Sequence, residues 1–136
     1  VGSLGESQAF DVWSRHDRAA RDLLARFGGL EIDKRDGFFL LFERPADAVA
    51  YALAYHRGLA RLSEEVGTEL AARVGIHLGE VYLRRNLPQD VSRGAKPLEV
   101  EGPAKPAAVR LMSLAAGRQT LLSRAAFDLG NPSLSS

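Results

Sequence analysis

A chain of 136 residues, 46% hydrophobic and 26% charged, is long enough for one compact domain with a core and too short for two, so a single domain over 1–136 is expected. A net charge of +1 supplies no field for drawing in nucleic acid, and the lack of cysteine excludes disulfides, thiolate nucleophiles and zinc–thiolate sites. The separated histidines His16, His56 and His77 lack metal-ligand spacing, no apolar run approaches the ~20 residues that span a bilayer, and nothing at the start reads as a signal peptide; a cytoplasmic location is expected.

From Ser7 to Phe27, apolar residues Phe10, Trp13, Ala20, Leu23, Leu24 and Phe27 recur near helical spacing until Gly28-Gly29 stops them, which predicts a first helix. Leu30 to Lys34 and Phe38 to Glu43 then flank Arg35-Asp36-Gly37 in the pattern of a hairpin. Pro45 suits the first turn of a second helix, running through Val49, Leu53, His56 and Leu59 to about Glu65. Leu70 to Leu83 reads as one long strand, with Val74, Ile76 and Val81 as core positions and Gly75 and Gly79 marking bends or close backbone approach. Residues 85–97 carry turn formers and mixed charge and read as an exposed loop or flap. A helix from about Ala104 to Ala116, a strand at Gln119–Leu122 and a short helix from Ser123 to Leu129 follow, with an irregular tail after Gly130. That order points to an α+β domain with helices packed on a mostly antiparallel sheet.

Three stretches then line up: FGGLEIDKRDGFFLLFERPADAVAYAL (27–53), ARVGIHLGEV (72–81) and EGPAKPAAVRLMSLAAGRQTLLS (101–123). In order and spacing, over roughly residues 10 to 125, the chain resembles the catalytic domain of class III nucleotidyl cyclases, the ferredoxin-like adenylate and guanylate cyclase homology fold. The resemblance implies a homodimer with composite sites, in which two magnesium or manganese ions on one subunit face base-binding and transition-state residues of the other. It also implies attack of a ribose 3′-hydroxyl on the α-phosphate, with release of pyrophosphate. Paired ions suit that chemistry because they lower the hydroxyl's pKa and neutralise charge developing on phosphate oxygens.

By the same resemblance, Asp36 matches a metal-binding aspartate, although Asp-Gly is a favoured hairpin turn with or without an ion, and Arg35 stands where the family has glycine. The second metal aspartate is expected one position before Val1, since Val1-Gly2-Ser3 resembles the segment that follows it. Lys34 is the candidate base-reading lysine; it lies two residues before Asp36 instead of four, which leaves Ile32 at the matching place, and a solvated strand end is its alternative reading. Asp33 is a weaker substitute for a metal ligand, because adjacent strand positions alternate faces. Glu99 aligns with the acid that reads the purine edge, where a carboxylate accepting from an exocyclic amine favours adenine. Arg110 aligns with the arginine that stabilises the phosphate in transit, and its guanidinium fork suits that task; Pro106 replaces the ribose-orienting asparagine four residues earlier. His77 and Glu80 stay outside the catalytic set. The expected activity is conversion of ATP, in preference to GTP, to the cyclic nucleotide. The alternatives are a catalytically degenerate homology domain serving as a dimerising regulatory or nucleotide-binding module, and an unrelated ferredoxin-like binding module.

Overall fold

The computed structural model describes residues 5–34, 38–79, 81–115 and 119–122. In chain order the elements are α1 (Glu6–Arg26), β1 (Leu30–Lys34), β2 (Phe38–Leu41), α2 (Pro45–Val66), β3 (Val74–Ile76), β4 (Tyr82–Arg85), α3 (Pro88–Val91), β5 (Leu98–Glu101), α4 (Ala104–Leu114) and β6 (Thr120–Leu122). Strands β1 and β2 pair antiparallel, as do β4 and β5, while β3 runs parallel to β6. The architecture is α+β, as expected. The expected short helix 123–129, the tail, Val1–Ser3, Asp36 and Glu80 lie outside the described residues.

Helix α1 ends where the diglycine says it should. Gly28 takes φ of 69°, a left-handed conformation that a β-carbon disfavours, and the Gly29 N–H donates to the Leu24 carbonyl at 3.1 Å, closing the last turn. Helix α2 begins with Pro45 in its first turn and ends at Gly67, also left-handed at φ 72°.

The face that α1 buries is only partly the one the apolar spacing marks: Ala20 and Leu24 are buried as expected, and the misses lie in the first half of the helix. Phe10 and Trp13 are 76% and 54% exposed, whereas Val12, His16, Ala20 and Leu24, each four residues apart, form the buried ridge against α2. Its first half was hidden because His16 interrupts the apolar spacing. On α2 the buried residues are Tyr51, Ala52, Leu59 and Leu62, and Leu53 is exposed. Tyr51 donates its hydroxyl hydrogen to the Ala20 carbonyl at 3.0 Å, and burial pushes its pKa up.

The single strand expected over Leu70–Leu83 is instead two short strands, β3 and β4, with residues 77–79 and 81 outside any ladder. At Gly75 the expected close approach is present: a β-carbon there would lie 2.4 Å from the Met112 nitrogen and 2.5 Å from the Ala108 oxygen of α4. Gly79 is also tight, with a β-carbon meeting that of Ala104 at 3.0 Å. The expected flap at 85–97 contains the one-turn α3 and joins β4 to β5 as a long hairpin connection, closed by the Asn86 N–H on the Pro97 carbonyl at 3.1 Å.

Candidate functional site

The hairpin β1–β2, strand β5 and the start of α4 converge. Lys105, in the first turn of α4, holds its Nζ 4.9 Å above the Phe39 ring of β2. Lys96, just before β5, reaches β1 through an ion pair between its Nζ and Asp33 Oδ2 at 2.9 Å. Asn86 Nδ2 then donates to both the Lys96 carbonyl (2.7 Å) and Glu99 Oε2 (3.1 Å), and Arg84 pairs with Glu99 at 2.7 Å and with Glu101 at 2.9 Å. Glu99 is thus oriented by donors that both address Oε2, and its side chain stays 37% exposed. Strand β1 carries a register shift between Glu31 and Asp33, a bulge at Ile32 that re-aims the residues after it.

Lys34 points elsewhere. Its Nζ lies 2.7 Å from Asp17 Oδ2 on α1, while Asp17 Oδ1 is 2.9 Å from Nδ1 of His16, whose Nε2 lies 2.7 Å from the Tyr55 hydroxyl of α2. Desolvation raises the Asp17 pKa, but hydrogen bonds and charge from Lys34 and His16 outweigh it and hold the carboxyl below its ordinary value. Burial, with a smaller contribution from the Asp17 charge, pushes Tyr55 up to about 12, so its hydroxyl keeps its proton at neutral pH. Sequence reasoning missed Asp17, His16 and Tyr55. The available signal was the four-residue ridge with a histidine in it.

Arg110 is exposed on α4, and Pro106 is exposed one turn before it on the same face. Pro106 sits in the helix's first turn, where a missing N–H breaks no intrahelical bond, so proline suits the helix there. His77 lies just past β3, and its Nδ1 is buried without a hydrogen-bond partner among the described residues. Also among the described residues, no three His, Asp or Glu side chains cluster to hold a metal ion. Asp33 accepts from the Lys34 N–H at 2.8 Å and pairs with Lys96, a cation that opposes a divalent ion in the same place. The described donors do not by themselves fit such an ion.

The chain superposes on solved structures over most of its length. The guanylyl cyclase Cya2 superposes with a TM-score of 0.83 at 20% identity, over 95% of this chain and 70% of that one. The chain has the fold of a class III cyclase catalytic domain. The adenylyl cyclase CyaB from P. aeruginosa matches this cyclase-fold chain with a TM-score of 0.78 at 17% identity, over 93% of this chain and 70% of its own. The guanylate cyclase domain of RhGC from Catenaria anguillulae, in complex with GTP, matches with 0.75 at 12% identity over 95% and 72%. No family model and no curated protein matches the sequence. No described helix is long and apolar enough to cross a membrane.

Beneath the cyclase fold, His56 ties α2 to β6, with Nε2 2.8 Å from Thr120 Oγ1. Burial disfavours its charged form and lowers its pKa below 6.5. The unfolded chain therefore takes up this proton first, so the contribution of His56 is present above pH about 6.5 and is lost as pH falls through the folded value. Urea midpoints of the wild type are expected to drop between pH 7.5 and 5.5, and His56→Gln should flatten that slope. The carboxylates with lowered pKa, Asp17 and Glu31, weaken the fold only in a separate, more acidic window below their ordinary values of 3.8 and 4.5.

Proposed function

We propose that this chain is a nucleotidyl cyclase catalytic domain that converts ATP, in preference to GTP, to the cyclic nucleotide and pyrophosphate in cytoplasmic signal transduction. The observation that carries this reading is the convergence, within a cyclase fold, of the hairpin, the Glu99 strand and the Arg110 helix. In it, Arg110 is the catalytic cation: its fixed charge and forked donors meet negative charge growing on the phosphate oxygens. Glu99, ionised and oriented by Arg84 and Asn86, accepts from the exocyclic amine of adenine. Asp36, with an acidic residue supplied from outside the described residues, belongs to the magnesium or manganese site. Lys34, the other candidate for base contact, reaches a nucleotide only by leaving Asp17.

A second copy of the chain completes the reading. Tyr82, Leu83 and Leu87 are 64%, 54% and 57% exposed on and beside the β4–β5 pair, and a two-stranded ribbon with bare apolar side chains gains stability from a covering surface. Pro106 and the engagement of Lys34 by Asp17 favour one further reading, a dimerising nucleotide-binding module that has lost catalysis.

Purified protein incubated with ATP and manganese is expected to release cyclic AMP and pyrophosphate in equal amounts, at a specific rate that rises with protein concentration as dimers form. Saturable ATP binding without product assigns the chain to the non-catalytic reading. Absence of both overturns the nucleotide site.

A further inference from the structure

The polar cluster between α1 and α2 is built with more care than packing requires. His16 is 8% exposed on a ridge otherwise made of Val12, Ala20 and Leu24, where an aliphatic side chain would carry no desolvation penalty. Both of its ring nitrogens are engaged. Ionised Asp17 only accepts, so Nδ1 donates to it, and in the neutral ring Nε2 takes the Tyr55 hydroxyl hydrogen. Each group thus fixes the orientation of the next, from Tyr55 on α2 through His16 and Asp17 on α1 to Lys34 on β1.

The far end of this relay is placed at the Lys34–Phe38 end of the hairpin ladder, next to residues 35–37. Lys34 is the last residue of β1 and Phe38 the first of β2, so in sequence they flank Asp36. Both touch the relay: Lys34 through its ion pair at 2.7 Å, and Phe38 through the His16 ring, with centroids 6.1 Å apart. The Lys34 Nζ and the Arg21 guanidinium also lie 5.8 Å and 5.5 Å from the Phe38 ring centre. Arg21 is itself held by Glu31 of β1 at 2.7 Å.

We propose that Asp17 is a positioning residue which, backed by His16 and Tyr55, anchors the turn end of the β1–β2 hairpin to the helix pair and so sets where the hairpin meets the nucleotide. The second half rests on the cyclase reading above; the anchor itself does not. Lys34 is then a structural cation, spent on Asp17, and the hairpin is presented to the ligand by a strut instead of by its own two-stranded stiffness, which is marginal alone.

Asp17→Asn keeps the shape and removes the charge. In hydrogen exchange on the purified protein, amides of Asp33, Lys34, Phe39 and Leu40 are expected to exchange about tenfold faster, the scale of a charge-assisted bond that is partly exposed, while those of α4 and β3 stay as in the wild type. Lys34→Gln should give the same local effect, and the double variant no more than either alone. Asp17→Glu should recover part of the protection. With ATP and manganese, Asp17→Asn should raise KM several-fold with kcat changed less, a split that general loss of fold does not produce. Unchanged exchange in Asp17→Asn, or equal acceleration across α1, α2 and β3, overturns the anchor. A wild type that binds no ATP overturns the cyclase reading instead, and the exchange result still decides the anchor.

Discussion

Gly75→Ala is expected to lower the melting temperature by roughly 10 °C, corresponding to about 3 kcal/mol lost to one added methyl group. The new carbon would fall 2.4 Å from the backbone nitrogen of Met112 and 2.5 Å from the backbone oxygen of Ala108. Backbone atoms of a helix cannot rotate away as a side-chain end can, so relief requires β3 and α4 to separate, and β3 is only three residues long. Gly58→Ala is the control of opposite sign. Gly58 lies inside α2, and a β-carbon there would make ordinary contact with Leu23 Cδ1 at 3.9 Å. Alanine should therefore stabilise by about 0.5–1 kcal/mol through helix propensity. Calorimetry on the two variants reads the difference directly; equal shifts would mean that Gly75 does not lie against α4 as described.

Gly75 also shows how much of the fold was legible. A glycine inside an apolar strand signals close approach, and the approach is there, but the sequence does not say to what. Its partners arrive from α4 and, by parallel pairing, from β6, both more than thirty residues away. Alternation along Leu70–Leu83 saw one strand, because nothing local reveals that the ladder stops at Ile76. Helix ends were readable because Gly28 and Pro45 act on their own turns. Helix faces were less so: Phe10, Trp13 and Leu53 are apolar yet exposed, and His16 is polar yet buried because Asp17 beside it and Tyr55 of α2 satisfy it. Strand β5 was missed although Leu98, Glu99, Val100 and Glu101 alternate, a period-two signal too short to stand out among turn formers.

The site divides the same way. Glu99 and Arg110 were singled out by resemblance to a family pattern, and they lie on the consecutive elements β5 and α4. Arg84, Asn86 and Lys96 were not, because what makes them matter is where β4 and the following connection bring them beside Glu99 and Asp33. Ion pairs are geometric facts, and a charged residue in a sequence carries no mark of its partner. The bulge at Ile32 adds a local case: an extra residue in β1 alters the face count on which the reading of Asp33 rested.

Arg110→Ala is expected to reduce kcat for cyclic AMP formation by about 10²–10³-fold, the range seen when one donor to a developing oxyanion is removed. The ATP KM should change only a few-fold and the melting temperature hardly at all, because Arg110 is exposed on α4 and no described ion pair or hydrogen bond holds it. Arg110→Lys should recover only part of the rate: an ammonium restores charge but not the planar fork. An unchanged kcat in Arg110→Ala would remove Arg110 from the catalytic role. Its exposure carries a second consequence, since a transition-state cation open to water gains little until a second copy covers it. If Arg110 serves a nucleotide held by the partner's hairpin, inactive Arg110→Ala protein mixed with inactive Asp36→Ala protein forms mixed dimers with one intact site each. Random pairing makes half the dimers mixed, so about a quarter of the wild-type rate should return. If each chain builds its whole site alone, mixing restores nothing, and the composite arrangement falls even if the single-variant result stands.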